Sequence, residues 1–216
     1  MDTALDTRPR LRGWLHLAAF PAALVAGLIL VATGPTLAAR ATAAVYVLTS
    51  AALFGVSALY HRARLSPAAT ARLKRLDHAN IYLIIAGTYT PVAALALEGA
   101  ARIGLLAAVW TGAVAGVAFR TLWHGAPRAL YTGLYIVLGW AAVFVIPQLV
   151  AGAGPAATAL IIAGGVLYTA GGVVYARKRP DPNARWFGFH EVFHACTVAA
   201  YAAQFAAVAL VVYSAA

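Results

Sequence analysis

Residues 156–175 read AATALIIAGGVLYTAGGVVY, a stretch of twenty residues without a charged side chain. An α-helix rises 1.5 Å per residue, so about 20 apolar residues cross a hydrocarbon core about 30 Å thick. This stretch therefore predicts a transmembrane helix, and the chain has seven apolar runs of this kind. They extend approximately over Trp14 to Val31, Ala41 to Tyr60, His78 to Leu97, Ile103 to Phe119, Leu130 to Val150, Ala156 to Tyr175 and Phe187 to Tyr213.

The composition supports lipid as the solvent. Of the 216 residues, 63% are hydrophobic and 10% are charged, whereas soluble domains carry about 25% charged residues. The connectors between the runs are short, so we expect residues 1–216 to form one all-α domain, a seven-transmembrane-helix bundle. The first dozen residues mix acids, threonine and proline, and we expect no removable signal peptide there. The single cysteine, Cys196, excludes an intramolecular disulfide and is interpreted as a structural thiol.

The positive charges predict the orientation in the membrane. Short loops rich in lysine and arginine stay in the cytoplasm. With residues 1–12 as a short basic cytoplasmic segment, 14 of the 16 lysines and arginines fall on the cytoplasmic side, and only Arg40 and Arg102 fall outside. We therefore predict a multi-pass protein of the bacterial inner membrane with a cytoplasmic N-terminus and an outer C-terminus. The net charge of +10 is then a topology signal, which argues against a nucleic-acid partner.

Ionisable side chains at membrane depth are costly and commonly functional. Outside the basic loops, His61 ends the second run, Asp77 begins the third, and His190 and His194 begin the seventh, so all four are expected near the cytoplasmic face. His190 and His194 are four residues apart and project from one helix face, where they can bind one metal ion. His61 would complete a three-histidine zinc site with an open position for water, which is typical of hydrolysis.

Two neighbours extend this predicted site. Asp77 could accept a hydrogen bond from the metal-bound water or act as a general base, and Ser57, one turn before His61, could orient the site or donate to an oxyanion. We interpret His16 and His124 as interfacial anchors, and His78 as either a structural residue or one that supports the metal ligands. Asp77 could instead pair with the cations of the preceding loop.

A competing motif overlaps the histidine pair. Residues 190–194 read HEVFH and match the H-E-x-x-H pattern of zinc proteases, with Glu191 as the base. A membrane metalloprotease would need a third metal ligand, for which His61 or Asp77 could serve. This interpretation stays open as a minority alternative.

The sequence resembles the hemolysin III family, the bacterial relatives of the progestin and adiponectin receptors. The segments that carry the resemblance are SALYH at 57–61, LDHANIYLIIAGTYTP at 76–91, YIVLGW at 135–140, GGVLYTAG at 164–171 and FGFHEVFH at 187–194. The resemblance implies a seven-helix fold with zinc bound by His61, His190 and His194, and with Asp77 and Ser57 near the metal-bound water. One departure is Gln204, where the family pattern has a histidine.

The wider group resembles alkaline ceramidases, which implies metal-dependent hydrolysis of a lipid amide. Our leading hypothesis is a zinc-dependent hydrolase that acts on a membrane lipid amide or ester and affects lipid homeostasis. The alternatives are a non-enzymatic membrane sensor with a structural zinc, a cytolytic protein and the intramembrane metalloprotease. The sequence indicates no oligomeric state.

Overall fold

The computed structural model describes residues 9–123 and 125–215, which form an all-helical fold apart from one isolated bridge between Asn183 and Phe187. The α-helices are α1 (Trp14–Thr33), α2 (Leu37–Arg62), α3 (Pro67–Ala96), α4 (Gly99–Leu122), α5 (Arg128–Gly139), α6 (Ile146–Arg177) and α7 (Phe189–Tyr213). Two of these helices begin with a side-chain N-cap. The side-chain hydroxyls of Thr36 and Ser66 cap α2 and α3 by accepting hydrogen bonds from Ala39 and Ala69.

Six helical stretches within the described residues are long and apolar enough to cross a membrane. Such helices satisfy their own backbone hydrogen bonds, which lipid cannot do. Together with the sequence relationship reported below, they establish a multi-pass membrane protein. The stretches are Trp14–Thr33, Leu37–Arg62, Pro67–Ala96, Gly99–Leu122, Arg128–Arg177 and Phe189–Tyr213.

The stretch Arg128–Arg177 covers two of the predicted runs, and its boundaries differ from those predicted. A 3₁₀ helix, Ala141–Val145, separates α5 from α6, and Gly154 inside α6 has φ 82° and ψ 163°. Pro147 has no N–H to donate, which disfavours an unbroken helix through this region. The predicted run from Leu130 to Val150 is therefore interrupted.

This long stretch also folds back on itself. Arg128 near its start donates from Nη1 to the carbonyl of Tyr175 near its end at 3.2 Å, and Trp140 Nε1 donates to Thr169 Oγ1 at 2.9 Å. The count of seven transmembrane helices and the orientation of the termini stay predictions.

The packing gives α7 a central place. It contacts α6, α3, α1 and α2, while α1, α2, α3 and α4 pack in chain order. Close approach depends on small residues at some crossings. A Cβ on Gly116 of α4 would lie 2.3 Å from the ring of Tyr82 on α3, so glycine is required for that contact. The first turns of α7 lie beside the end of α2 and the start of α1.

The residues before α1 are attached to the loop before α7. The backbone N–H of Arg10 donates to the carbonyl of Arg185 at 3.0 Å, and that of Leu11 donates to the carbonyl of Trp186 at 3.1 Å. The guanidinium of Arg10 also stacks over the Trp186 ring, 4.6 Å from its centroid. These bonds bring the start of α1 to the start of α7.

Candidate metal centre

Three histidines meet where the end of α2 approaches the start of α7. His61 lies in the last turn of α2, and His190 and His194 lie in the first turns of α7. One ligand atom from each lies within 4.8 Å of the others, and the Nε2 atoms of His61 and His190 are 3.3 Å apart. His194 is buried and the other two are partly buried. This group, predicted from sequence, could hold a metal ion.

Asp77 lies beside the cluster, on α3. Its Oδ2 atom is 4.0 Å from Nε2 of His61, and the residue is 9% exposed. This distance exceeds that of a direct hydrogen bond but leaves space for a small molecule that contacts both groups. The structure thus places the Asp77 carboxylate beside the histidines, where the sequence predicts it.

Ser57, one turn before His61 on α2, is fully buried. Its hydroxyl lies 2.8 Å from Nδ1 of His16 and beside the Asp77 carboxylate. The position of Ser57 between Asp77 and His16 connects α2 to both α3 and α1.

The prediction that His16 is an interfacial anchor is wrong. His16 is 3% exposed, and its ring stacks on that of His194 with a centroid distance of 3.7 Å and an interplanar angle of 6°. Sequence reasoning missed it because an isolated histidine one turn into a helix does not reveal which helices cover it. His124, the other predicted anchor, lies outside the described residues.

The carboxylate of Glu191 is held by two neighbouring groups of the protein. It is 1% exposed, and one carboxylate oxygen accepts the backbone N–H of Gly188 at 2.8 Å, capping α7. The other carboxylate oxygen pairs with the guanidinium of Arg12. Both oxygens therefore have partners within the protein, unlike the base that the protease motif requires. Arg12 was not predicted to be that partner.

His78 belongs to a second polar network, on the side of α3 that faces α4 and α5. Its Nδ1 accepts from Nη2 of the buried Arg120 at 2.7 Å, and its Nε2 lies 3.3 Å from the hydroxyl of Tyr175. The Arg120 guanidinium also lies over the Tyr131 ring, 4.3 Å from its centroid. These contacts fit the predicted structural role of His78.

A cavity extends from the histidine cluster into the bundle. It holds about 1210 Å³ of space not filled by protein atoms, including the part that opens to the outside. Asp77 and Val92 both line it and are 15 positions apart on α3, which corresponds to about 22 Å along a helix. Its apolar wall includes Leu53, Ile81, Ile84, Ile85, Val92, Ile136, Ile161 and Phe193.

Gln204 lines the same cavity but far from the histidines. It follows His194 by ten positions, about 15 Å along α7, and its Nε2 donates to the carbonyl of Ile161 at 3.0 Å. The departure from the family pattern at this position therefore leaves the three histidines intact.

Cys196 is partly buried, and a Cβ built on Gly171 would lie 2.9 Å from the Cβ of Cys196. This close approach is consistent with a packing role for the cysteine.

Sequence comparison gives the relationship of the chain to known proteins. The profile of the family described as "Haemolysin-III related" matches residues 6–205. The chain is 36% identical over 118 residues to "Hemolysin-3 homolog" of Bacillus subtilis (strain 168), covering 54% of this chain and 55% of that protein. It is 36% identical over 115 residues to "Hemolysin-3" of Bacillus cereus, covering 53% and 52%. The aligned region spans about half the length of these curated relatives. Because the profile match covers most of the sequence, the chain belongs to the haemolysin-III related family.

Proposed function

We propose that this protein is a zinc-dependent hydrolase of membrane lipid amides or esters, with its active site at the cytoplasmic ends of seven transmembrane helices. The observation that carries the proposal is the cluster of His61, His190 and His194 beside Asp77, at one end of a long apolar cavity. In this proposal, residues 128–177 cross the membrane twice, consistent with their folded-back arrangement.

The histidines fit zinc by the type of their donor atoms, and one pair also fits by its spacing, while the three ligand atoms lie within 4.8 Å of one another. Tetrahedral zinc with Zn–N bonds of 2.0–2.1 Å requires ligand nitrogens about 3.3 Å apart, and the Nε2 atoms of His61 and His190 are 3.3 Å apart. A donor set of three imidazoles is one that catalytic zinc sites use, with the fourth position left for water. When bound there, zinc would supply a Lewis acid and make a coordinated water more acidic.

The surrounding residues would perform the acid–base steps. Asp77 would accept a proton from the attacking water, while Ser57, beside the carboxylate, would hold it in position by donating a hydrogen bond to it. The water oxygen bonds to the acyl carbon, and the bond from that carbon to nitrogen or oxygen breaks. The proton held by Asp77 passes to the departing nitrogen or oxygen and gives the amine or alcohol. The second proton of the water stays on the fatty acid, which then loses it to solvent and becomes the carboxylate.

The cavity indicates the class of substrate. It is lined mainly by apolar side chains over about 20 Å of helix, which suits a single long acyl chain. The polar residues Asp77, His190 and His194 lie at one end of it. An acyl chain bound in the cavity would therefore place its carbonyl group at the histidines.

Metal analysis of the detergent-purified protein tests the centre. We expect one zinc ion per chain, which is lost when His190 and His194 are both replaced by alanine. His78→Gln is the matched control, because it alters a buried histidine of the Arg120 network, and it should keep the metal. Absence of stoichiometric zinc from the wild type, or its retention in the double variant, would contradict the proposal.

Replacing Asp77 by asparagine tests the reaction. We expect Asp77→Asn to retain zinc and fold normally but to hydrolyse a ceramide with a fluorescent acyl chain, or a long-chain acyl ester, about 10²- to 10⁴-fold more slowly. The measurement is release of the labelled fatty acid in mixed micelles. Unchanged hydrolysis by Asp77→Asn would remove its role as the base.

A membrane sensor with a structural metal is the second candidate. The observation that favours it is that the three histidines come from α2 and α7, so a bound ion would tie these helices together. It predicts zinc-dependent stability and no release of fatty acid from any lipid tested. The relatives' names suggest a third activity, cell lysis. It is tested separately by assaying the purified protein on erythrocytes.

A further inference from the structure

His16 on α1 contacts two separate parts of the metal centre. Its Nδ1 lies 2.8 Å from Ser57 Oγ, and its ring stacks on that of His194 at 3.7 Å between centroids. The ring of Phe54 packs edge-on against it, with centroids 5.1 Å apart and an interplanar angle of 83°. The residue is 3% exposed, so the orientation of its imidazole is fixed on several sides.

The hydrogen bonds of Ser57 have a direction. An ionised Asp77 carboxylate can only accept, whereas a serine hydroxyl donates one proton and can accept another bond. Ser57 Oγ lies 2.8 Å from Nδ1 of His16 and beside the Asp77 carboxylate. When Ser57 donates its proton to Asp77, its oxygen accepts from Nδ1–H of His16. The order of donors is therefore His16 to Ser57 to Asp77, running from α1 through α2 to α3.

The stacking contact acts on a different residue. The rings of His16 and His194 are parallel to within 6°, so rotation of the His194 ring about its Cβ–Cγ bond would bring it into collision with His16. Groups that fix the orientation of metal-binding histidines commonly change metal affinity or activity 10- to 100-fold when removed. One side chain of α1 thus restrains a metal ligand on α7 and, through Ser57, the carboxylate on α3.

We propose that His16 is a positioning residue that aligns Asp77 through Ser57 and holds the ring of His194 by stacking. This inference rests on the proposed hydrolase function, because it assigns Asp77 as the group that acts on the attacking water. His16 itself binds neither metal nor substrate in this proposal. Its two contacts are chemically different, and they can therefore be removed separately.

Two substitutions separate the contacts. His16→Phe keeps a flat ring over His194 but removes the donor to Ser57, so we expect unchanged zinc affinity and a kcat lowered about 10- to 100-fold with KM unchanged. His16→Asn keeps an N–H donor near Ser57 but removes the ring. It should retain more kcat at saturating zinc than His16→Phe, while binding zinc more weakly than the wild type.

A double-mutant cycle tests whether His16 acts through Ser57. In a Ser57→Ala background, His16→Phe should cause no further loss of kcat, because the connection to Asp77 is already broken. A multiplicative loss in the double variant, or an unchanged kcat for His16→Phe alone, would overturn the relay. Should His16→Phe fail to fold, His16→Leu, which also lacks a donor, gives the same comparison in the two backgrounds.

Cobalt replacement supplies a readout that does not depend on hydrolysis. The visible absorption bands of bound Co²⁺ report ligand geometry, and they should shift in His16→Asn but not in His16→Phe. Identical spectra for the wild type and His16→Asn would overturn the stacking role. If the wild type binds cobalt yet hydrolyses no lipid, the hydrolase proposal fails while the spectra still decide the role of His16 toward His194.

Discussion

At the scale of single residues, Gly13 determines how closely α1 approaches the metal centre. It precedes α1 with φ 80° and ψ −5°, and a Cβ built on it would lie 2.5 Å from the Cβ of His61. A left-handed backbone costs a non-glycine residue about 1–2 kcal/mol. An alanine at this position would also push against His61 and displace this proposed metal ligand.

We expect Gly13→Ala to lower zinc affinity by about 10- to 100-fold, the range seen when groups that support metal ligands are altered. The measurement is zinc titration of the metal-free protein in competition with a zinc indicator. Gly99→Ala is the matched control, because Gly99 also starts a helix with positive φ, 51°, but has no heavy atom within 4 Å of its built Cβ. Equal zinc affinities in the two variants would contradict the prediction.

At the scale of helices, the ion pair between Arg12 and Glu191 joins the start of α1 to the start of α7. The carboxylate is 1% exposed, and removing one partner of a buried pair leaves a charge without compensation. We expect Arg12→Met to lower the free energy of unfolding by about 3 kcal/mol. Chemical denaturation in mixed micelles provides the measurement.

The double variant Arg12→Met, Glu191→Gln should recover part of that loss, because it removes the unpaired charge. Arg10→Met is the control. The Arg10 guanidinium stacks on the partly exposed Trp186 ring, a contact worth about 0.5–1 kcal/mol at such sites. A loss in Arg12→Met no larger than in Arg10→Met would show that the pair contributes little.

Glu191→Gln also distinguishes the two hydrolytic mechanisms. One carboxylate oxygen pairs with Arg12 and the other accepts the N–H of Gly188. We therefore expect this variant to retain zinc and most of its lipid hydrolysis, with reduced stability. Activity is compared at a temperature where both proteins remain folded. Complete loss of activity in a folded, zinc-loaded variant would favour the metalloprotease mechanism instead.

At the scale of the whole molecule, we expect residues 128–177 to cross the membrane twice. Cysteine labelling in cells tests this, using a background in which Cys196, the only cysteine, is replaced by alanine. We expect a cysteine at Ala156 to react with a membrane-impermeant maleimide from outside. A cysteine at Ala184, in the loop before α7, should react only after the membrane is opened.

Labelling of both positions from the same side would contradict two crossings within residues 128–177. Reversed labelling would instead mean that the orientation is opposite to the one that the loop charges predict. In that case His61, Asp77, His190 and His194 would still lie together, because their proximity depends on the bundle and not on its direction in the membrane. The proposed active site would then face the other compartment.

Much of the fold and part of the site could be predicted from sequence. Long apolar runs predict helices because lipid offers the backbone no hydrogen bonds, and those runs correspond to helical stretches here. The four-residue spacing of His190 and His194 fixes their common face on α7. The interruption near Trp140 was not predicted, because the apolar pattern continues through it.

By itself, the sequence determined that the chain is a multi-pass helical membrane protein, and which helix ends carry histidine and aspartate. Only the tertiary structure decided that His16 is a buried partner of Ser57 and His194, and that Glu191 is held by Arg12. The physical reason is that hydropathy and helical period are properties of one segment. Burial and hydrogen bonding at a helix end depend on which other helices pack there, and these contacts join residues as far apart as Arg12 and Glu191.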